Sequence, residues 1–307
     1  MKLRRMLGLV AVVVSALSAA GLTTGAASAS TVNPYKSVTT HQRHARDLRK
    51  VGKAVPSTRL PSLRFGQSAS VKNTGTATNR IWSGYADVAC PTCALRYVSA
   101  DFTLPHLNTA KSPNNSWASH WVGLDGFGNS TVEQVGIDTS VQNGVDYYYA
   151  WYEMFPAPTQ VYALAASPGD NIQVSVYTVN RTYYLSLNDT TLGAGFDATA
   201  TVPAGYTGQN HSAEVITEAP SQLTSTGSLV QVPLADYGQV NYNNATVTSR
   251  NGSHGGLGTG ALWNGYALKM VSGTTAAALS TPSGLLNGTN SSGIPVSDFT
   301  VAWQAAS

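Results

Sequence analysis

The stretch Val98-Ser-Ala-Asp-Phe-Thr-Leu104 carries an apolar side chain at every second position. Such alternation turns one face of an extended strand toward a core and the other toward solvent. The same period of two recurs in Ile172-Gln-Val-Ser-Val-Tyr177, directly after the turn sequence Ser167-Pro-Gly-Asp170. Further alternating pairs are Leu185/Leu187, Val230/Val232 and Phe299/Val301. Short alternating strands separated by Gly, Asn and Pro, without helical periodicity, predict an all-β sandwich.

The composition also favours strands over helices. Charged residues make up 11% of the 307 residues, against about 25% in an ordinary soluble domain. This scarcity of Lys, Glu and Arg argues against long amphipathic helices, whereas 15 Tyr and 6 Trp favour strands. Hydrophobic residues reach 42%, which excludes a wholly disordered chain. Residues 250–293, rich in Gly, Ser, Thr and Asn, are expected to form loops around a strand at residues 261–271.

Charge divides the chain into a basic leader and an acidic body. Residues 1–80 carry a net charge of +12 and residues 81–307 a net charge of −9. At the start of the leader, Lys2, Arg4 and Arg5 precede an apolar stretch, and Ala27-Ser-Ala29 supplies a cleavage site. Residues 1–29 are therefore interpreted as a secretory signal peptide, with a membrane anchor as the less favoured alternative. The mature protein is expected to be secreted and extracellular.

Residues 30–80 remain basic and contain few large apolar residues. A basic arm of this kind binds nucleic acid or a membrane surface in some proteins. In others, a propeptide covers an acidic enzyme by charge complementarity. The acidic body favours a propeptide that acts as an intramolecular inhibitor, so neither nucleic acid nor a membrane is expected as a partner. Residues 81–307 then form one sandwich domain, and a monomer is expected.

The two cysteines, Cys90 and Cys93, lie in the sequence Cys-Pro-Thr-Cys. In an exported chain this spacing favours a small disulfide within a turn. A thioredoxin-like redox site would require a βαβ context, and a zinc site would require further ligands nearby. The disulfide is therefore expected to be structural.

Two stretches place a carboxylate among aromatic rings. In Asp146-Tyr-Tyr-Tyr-Ala-Trp-Tyr-Glu-Met-Phe155, one strand face holds Tyr147, Tyr149, Trp151, Glu153 and Phe155. In Ser119-His-Trp-Val-Gly-Leu-Asp-Gly126, Trp121 and Asp125 share a face. Such a mixture is typical of a substrate groove, although an aromatic core edge explains it equally well.

Common catalytic signatures are missing from the sequence. It contains no HExxH, Gly-x-Ser-x-Gly, P-loop or Asp-Thr-Gly motif. The histidines of the body are scattered singly, at His106, His120, His211 and His254. The acid–base candidates are therefore the carboxylates Asp125, Glu133, Glu153, Glu214 and Glu218. Glu214 and Glu218 share a strand face but stand about 13 Å apart, too far to flank a glycosidic bond. A catalytic partner must come from another strand.

Five separated blocks resemble the peptidase G1 family, the glutamic peptidases or eqolisins. The blocks are Trp121-Val-Gly-Leu-Asp-Gly126, Val132-Glu-Gln-Val-Gly136, Ala150-Trp-Tyr-Glu-Met-Phe-Pro156, Pro168-Gly-Asp170 and Ala213-Glu-Val-Ile-Thr-Glu218. Their order and spacing agree over residues 80–303. The resemblance implies a secreted, acid-acting endopeptidase made with a propeptide. It also implies a double-sheet antiparallel β-sandwich similar to concanavalin A-like and jelly-roll folds.

The resemblance further implies the site residues. The family's catalytic pair falls on Gln134 and Glu218, and its supporting residues fall on Trp82, Trp121, Asp125 and Glu153, with Trp151 beside them in the aromatic stretch. Glu218 would take a proton from water and return it to the leaving amine, without a covalent intermediate. Gln134 would hold that water and stabilise the oxyanion. No metal or cofactor is needed, and polypeptides are the expected substrates. Val215 stands where relatives have an aromatic residue, which is expected to change a subsite.

Two other functions fit the same aromatic groove. A non-catalytic, lectin-like module would bind glycan or peptide without turnover. A glycoside hydrolase would need two facing carboxylates, such as Glu153 and Glu218. Both leave the register of Gln134 and Glu218 as a coincidence, so the peptidase is favoured.

Overall fold

The computed structural model describes residues 75–223, 229–259 and 262–307. These residues form strands, turns and loops, and none of them is helical. The predicted signal peptide and residues 30–74 of the predicted propeptide lie outside them. In chain order the strands are β1 (Gly75–Asn79), β2 (Trp82–Ala89), β3 (Leu95–Thr103), β4 (Ser116–Leu124), β5 (Val132–Gln142), β6 (Val145–Phe155), β7 (Gln160–Tyr162), β8 (Asn171–Val179), β9 (Thr182–Asp189), β10 (Ala194–Thr201), β11 (Ser212–Glu218), β12 (Ser221–Leu223), β13 (Leu229–Gln231), β14 (Gln239–Ser249), β15 (His254–Gly256), β16 (Trp263–Val271), β17 (Ala278–Pro282), β18 (Leu286–Thr289) and β19 (Pro295–Trp303).

One layer, the front sheet, has the strand order β1-β16-β2-β11-β4-β5-β6-β7. All neighbours are antiparallel except β1, which pairs in parallel with β16 over five residue pairs. Residues 75–79, which the charge division assigned to the end of the leader, therefore form an edge strand of this sheet.

The second layer, the rear sheet, has the order β10-β9-β8-β3-β14-β19. Short strands extend it at one side, where β17 and β18 pair with β19 and β15 pairs with β14. β17 also pairs with β16 of the front sheet, so the two layers are joined through continuous hydrogen bonding at that side. A separate hairpin, β12–β13, follows the end of β11.

The main core lies between the two sheets. It takes alternate residues from the strands of both layers, among them Val122, Val135, Ile137, Val98, Phe102, Val174 and Leu185. The intervening residues of the same strands point away from the core, as the period of two requires. The predicted alternation in Val98–Leu104 and Ile172–Tyr177 is confirmed, and so is the all-β sandwich.

The prediction of loops over residues 250–293 is wrong in part. Besides β16, which begins at Trp263, this region contains the short strands β15, β17 and β18. β15 and β18 are held by backbone hydrogen bonds to β14 and β19, and β17 by backbone hydrogen bonds to β16 and β19 together with the core side chain of Leu279. None of the three shows an alternating burial pattern.

Cys90 and Cys93 form a disulfide bond in the turn between β2 and β3. The backbone N–H of Cys93 donates to the carbonyl of Cys90 at 2.8 Å, which closes the same turn. The bond thus lies at a strand connection, as expected of a structural disulfide.

Candidate active site

The face of the front sheet that points away from the rear sheet, here called the site face, carries a second apolar cluster. It includes Trp82, Trp121, Trp151 and Ile216, with Phe155 packed against them. Trp82 and Trp121 meet edge to face with their ring centroids 5.2 Å apart. The predicted aromatic groove face of β6 therefore belongs to the same surface as Trp121 of β4.

Strand register determines where Gln134 and Glu218 stand on the site face. Gln134 of β5 lies opposite Gly123 of β4, whereas Glu218 of β11 lies opposite Ser119 of β4. The two residues are thus four positions apart along the strands and on opposite sides of β4. Both are fully buried. Each of the two residues and its directly opposed neighbours across the strands form a row. Trp121 occupies the position on β4 midway between the row of Gln134 and the row of Glu218.

Trp121 connects the two rows. Its indole Nε1 donates to Glu218 Oε2 at 2.8 Å. Its six-membered ring lies over Gly123, where an added Cβ would stand 3.0 Å from Trp121 Cζ3 and 3.2 Å from Gln134 Cβ. On the other side an added Cβ at Gly136 would overlap the His120 carbonyl and come within 2.5 Å of Trp121 Cβ. Gly123 therefore makes room for the indole, and Gly136 allows β5 to approach the backbone of β4 at Trp121.

A second carboxylate orients the amide of Gln134. Gln134 Nε2 donates to Glu153 Oε2 at 2.7 Å, across a directly opposed pair of β5 and β6. Thr159 Oγ1 donates to Glu153 Oε1 at 2.6 Å. An amide group carries two N–H donors and an acceptor oxygen, so Gln134 has hydrogen-bonding capacity besides its bond to Glu153. Glu153 thus accepts hydrogen bonds from both Gln134 and Thr159.

Residues on the reverse of β11 hold the strand next to Glu218. Thr217 points into the core, where its Oγ1 lies 3.1 Å from His120 Nδ1 and 2.9 Å from the Tyr242 hydroxyl. Tyr242 also donates to the carbonyl of Ile216 at 2.8 Å. All these residues are buried. Burial lowers the pKa of His120 to about 3, so the imidazole is neutral except in strong acid.

Three buried carboxyl groups gather around the turn that follows β4. Asp125, whose φ is +66°, accepts hydrogen bonds from Asn129 Nδ2 at 2.7 Å and from the backbone N–H groups of Asn210 and His211, both at 2.8 Å. It thereby ties this turn to the segment that leads into β11. Burial raises the pKa of Asp125 above its usual value.

Glu133 and Glu214 complete this carboxyl cluster. Burial raises the pKa of both well above the usual range, and the neighbouring charge of Asp125 raises it further. Phe127 N–H donates to Glu214 Oε1 at 3.3 Å. The cluster favours protonated carboxyls, so it suits a protein that is folded at acidic pH.

The structure thus brings Trp82, Trp121, Gln134, Trp151, Glu153 and Glu218 to one face and gathers Asp125, Glu133 and Glu214 at the turn. Sequence reasoning missed Thr159, the Thr217–Tyr242 contacts and a hydrogen bond from Ser119 to Asp138 in the row of Glu218. The Thr217–Tyr242 and Ser119–Asp138 contacts depend on strand pairing, and Thr159 lies in a loop six residues from Glu153 and carries no motif.

Neither a metal site nor a membrane helix is found in the part of the chain that the structure describes. Over residues 75–223, 229–259 and 262–307, no three His, Cys, Asp or Glu side chains are grouped to hold a metal ion. The same residues include no helix long and apolar enough to span a membrane.

Comparisons with known proteins agree with this geometry. The model of the Peptidase A4 family matches residues 80–283. Aspergillopepsin-2 of Aspergillus niger is 28% identical over 232 residues, covering 68% of this chain and 79% of that protein. Scytalido-glutamic peptidase, solved with a transition state analog inhibitor, superposes with a TM-score of 0.60 at 21% identity, covering 73% of this chain and 98% of the other. SCP-B, an eqolisin solved with the tripeptide Ala-Ile-His, gives 0.55 at 20% identity with the same coverages.

Proposed function

Because the chain belongs to the Peptidase A4 family and is a glutamic endopeptidase, we propose that Glu218 and Gln134 are its catalytic pair and that it acts on polypeptides in acid. The observation that carries this proposal is that both side chains lie on one face of the front sheet and that each is held there by a hydrogen bond. Trp121 binds the Glu218 carboxylate while Glu153 orients the Gln134 amide, and both pairs lie on one buried face. The sequence resemblance assigns the same two residues.

In the proposed reaction, Glu218 removes a proton from a water molecule as the water oxygen attacks the peptide carbonyl carbon. An N–H of Gln134 donates to the oxyanion that forms. Glu218 then transfers the proton to the amide nitrogen, the C–N bond breaks, and the carboxylate is regenerated. The Trp121 N–H keeps one Glu218 oxygen in place during both transfers. Burial of both side chains strengthens these interactions, since the local dielectric constant is low.

Acid action follows from the chemistry of the pair and of its surroundings. An uncharged Gln donates equally well at any pH, whereas a histidine in its place would be protonated in acid. The carboxyl cluster at Asp125, Glu133 and Glu214 favours its neutral form, so the turn beside Gln134 is best held under acidic conditions. Supporting roles for Trp82, Trp121, Asp125, Trp151 and Glu153 belong to the same proposal.

The alternatives have less support. A glycoside hydrolase using Glu153 and Glu218 would require two facing carboxylates, but Glu153 is bonded to Gln134 and Thr159. A lectin-like module does not explain why the Trp121–Glu218 and Gln134–Glu153 hydrogen bonds hold these two side chains on one face. The peptide ligand of SCP-B and the inhibitor of scytalido-glutamic peptidase support a polypeptide substrate here.

The proposal also includes secretion by the signal peptide at residues 1–29, a propeptide within residues 30–80, a monomeric enzyme and a concanavalin A-like, jelly-roll grouping of the sandwich. Because residues 75–79 pair with β16, we expect maturation to cut before Gly75. Amino-terminal sequencing of the acid-activated protein would locate the cut.

An assay of substrate class tests the function itself. The acid-matured protein is incubated at pH 2–7 with an unfolded protein and, separately, with polysaccharides, and products are identified by mass spectrometry. We expect peptide fragments in acid and intact polysaccharides. Sugar release, or binding of glycan without any cleavage, would refute the peptidase assignment for this site face.

A further inference from the structure

The site face continues beyond the row of Glu218 into a stack of three aromatic rings, here called the aromatic ladder. It consists of Trp117 of β4 and of Tyr149 and Tyr147 of β6. The ring centroids of Trp117 and Tyr149 are 5.8 Å apart, and those of Tyr149 and Tyr147 are 6.4 Å apart. Both pairs are inclined by only 18°, so the three rings form one continuous stack.

The ladder is a separate cluster from the tryptophans around Glu218. Val232, just after the β12–β13 hairpin, packs against Trp117 and Tyr149. Tyr147 is the outer member of the stack, and it is half-buried where the other two rings are buried. Its ring is thus the part of the ladder that a ligand on the site face reaches first.

Strand register gives the distance from the ladder to the reacting carboxylate. Tyr149 ends the row that runs from Glu218 through Ser119 and Asp138. Three strand spacings of about 4.8 Å separate Tyr149 from Glu218, roughly 14 Å at the backbone. Trp117 is nearer, one strand away and two residues along β4, or about 8 Å. Tyr147, two residues from Tyr149 along β6, is about 16 Å from Glu218 at the backbone. An extended peptide advances about 3.3 Å per residue, so its residues two to four from the scissile bond lie beside Trp117 and Tyr149. The fourth residue is about 3 Å short of Tyr147, a distance that an aromatic side chain spans.

The chemistry of the ladder favours an apolar, flat partner. Asp138, which shares the site face with the ladder, accepts a hydrogen bond from Ser119, whereas Asp146 lies on the opposite face of β6 and accepts one from the Tyr148 hydroxyl at 3.1 Å. Stacked rings bind another aromatic ring by offset or edge-to-face contact. We propose that the aromatic ladder is an extended subsite that binds an aromatic side chain of the polypeptide substrate, two to four residues from the cleaved bond. This proposal rests on the peptidase function proposed above.

Peptides that share one cleavage site test the ladder. Ala is replaced in turn by Phe, Leu or Lys at each position from four before to four after the cleaved bond, and kcat/KM is measured for each peptide. The wild type is expected to favour Phe over Ala by about tenfold at a position two to four residues from the bond, on one side only. Tyr147→Ala should reduce this ratio to less than about twofold, while Tyr147→Phe should keep it.

Tyr184→Ala is the matched control, because this half-buried tyrosine lies on β9 of the rear sheet. It should retain the wild-type ratio. A Phe preference that survives Tyr147→Ala, or a preference for Lys at the same position, would refute the ladder as an aromatic subsite. Cleavage of all peptides without positional preference would refute the ladder alone, whereas no cleavage of any peptide or unfolded protein would refute the peptidase function and the subsite with it.

Discussion

His120 provides a direct test of how the buried groups respond to pH. Its ring is enclosed between the sheets, with the Phe102 and Tyr237 rings 6.1 and 5.4 Å away and Thr217 bonded to Nδ1. Nε2 has no hydrogen-bond partner among the described residues. A charged imidazole is therefore poorly solvated in this position, and burial lowers the pKa from 6.5 to about 3.

The magnitude follows from linkage between protonation and folding. The folded pKa lies below the unfolded one, so protons bind the unfolded chain more tightly. The stability that neutral His120 contributes is complete above pH 6.5 and is lost as the pH falls toward 3. A shift of this size corresponds to a loss of about 5 kcal/mol over that interval, at 1.36 kcal/mol per unit.

His120→Asn isolates this contribution. Asparagine can still bond to Thr217 but carries no titrating group, although its smaller side chain leaves a cavity. We expect the variant to be less stable than the wild type at pH 6.5, and the difference in unfolding free energy to shift in its favour by about 5 kcal/mol at pH 3. Urea unfolding at both pH values measures the two free energies. The carboxyl cluster is present in both proteins, so its contribution to the pH dependence cancels in the difference. A difference that stays constant within about 1 kcal/mol would refute the account of His120.

Three further predictions concern the buried Asp87 and two hydrogen-bond donors at the site, Trp121 and Thr159. Burial raises the pKa of Asp87 from 3.8 to about 8, so its contribution to stability is lost as the pH rises over that interval. In differential scanning calorimetry, Asp87→Asn should therefore melt at a higher temperature than the wild type at pH 8 but not at pH 4. Equal melting temperatures at pH 8 would contradict this prediction. Trp121→Phe removes the N–H that binds Glu218 and should lower kcat by about 10- to 100-fold with KM little changed. Steady-state kinetics on a peptide measure both constants, and an unchanged kcat would contradict the role of the indole. Thr159→Val removes one donor to Glu153 and should lower kcat by about tenfold, whereas Thr159→Ser, which keeps the hydroxyl, should have a kcat close to that of the wild type. An equal loss of kcat in both variants would show that Thr159 acts through packing instead.

The sequence predicts the fold where side chains carry the signal. Val98–Leu104 alternates because one face of β3 packs in the core between the sheets, and that pattern is visible without a structure. β15 and β18 have no such face and β17 contributes Leu279 to the core without alternation, so the pairing of all three depends on the positions of β14 and β19. Their existence is a tertiary result, so the Gly- and Ser-rich composition of residues 250–293 suggested loops.

The candidate site divides in the same way. Gln134, Glu153 and Glu218 are found from local motifs, whereas the hydrogen bond from Trp121 of β4 to Glu218 depends on the pairing of β4 with β11. The contact between Thr217 and His120 depends on the register of β11 against β4, which no local pattern encodes. The singly scattered histidines were not counted among the acid–base candidates, and His120 is buried with Thr217 bonded to its Nδ1.

The paired roles of Glu218 and Gln134 are the central claim, and loss of acid proteolysis tests them most directly. Hydrolysis of an unfolded protein between pH 2 and 7 is compared for the acid-matured wild type, Glu218→Gln and Gln134→Ala. Glu214→Gln serves as the matched control, since it changes another buried glutamate of β11. Circular dichroism establishes that each variant is folded.

We predict that both Glu218→Gln and Gln134→Ala lower the rate by at least about a hundredfold at every pH, while Glu214→Gln remains active in acid. Proteolysis that persists in folded Glu218→Gln would contradict the account and would place the catalytic base elsewhere on the site face, with Glu153 as the next residue to replace.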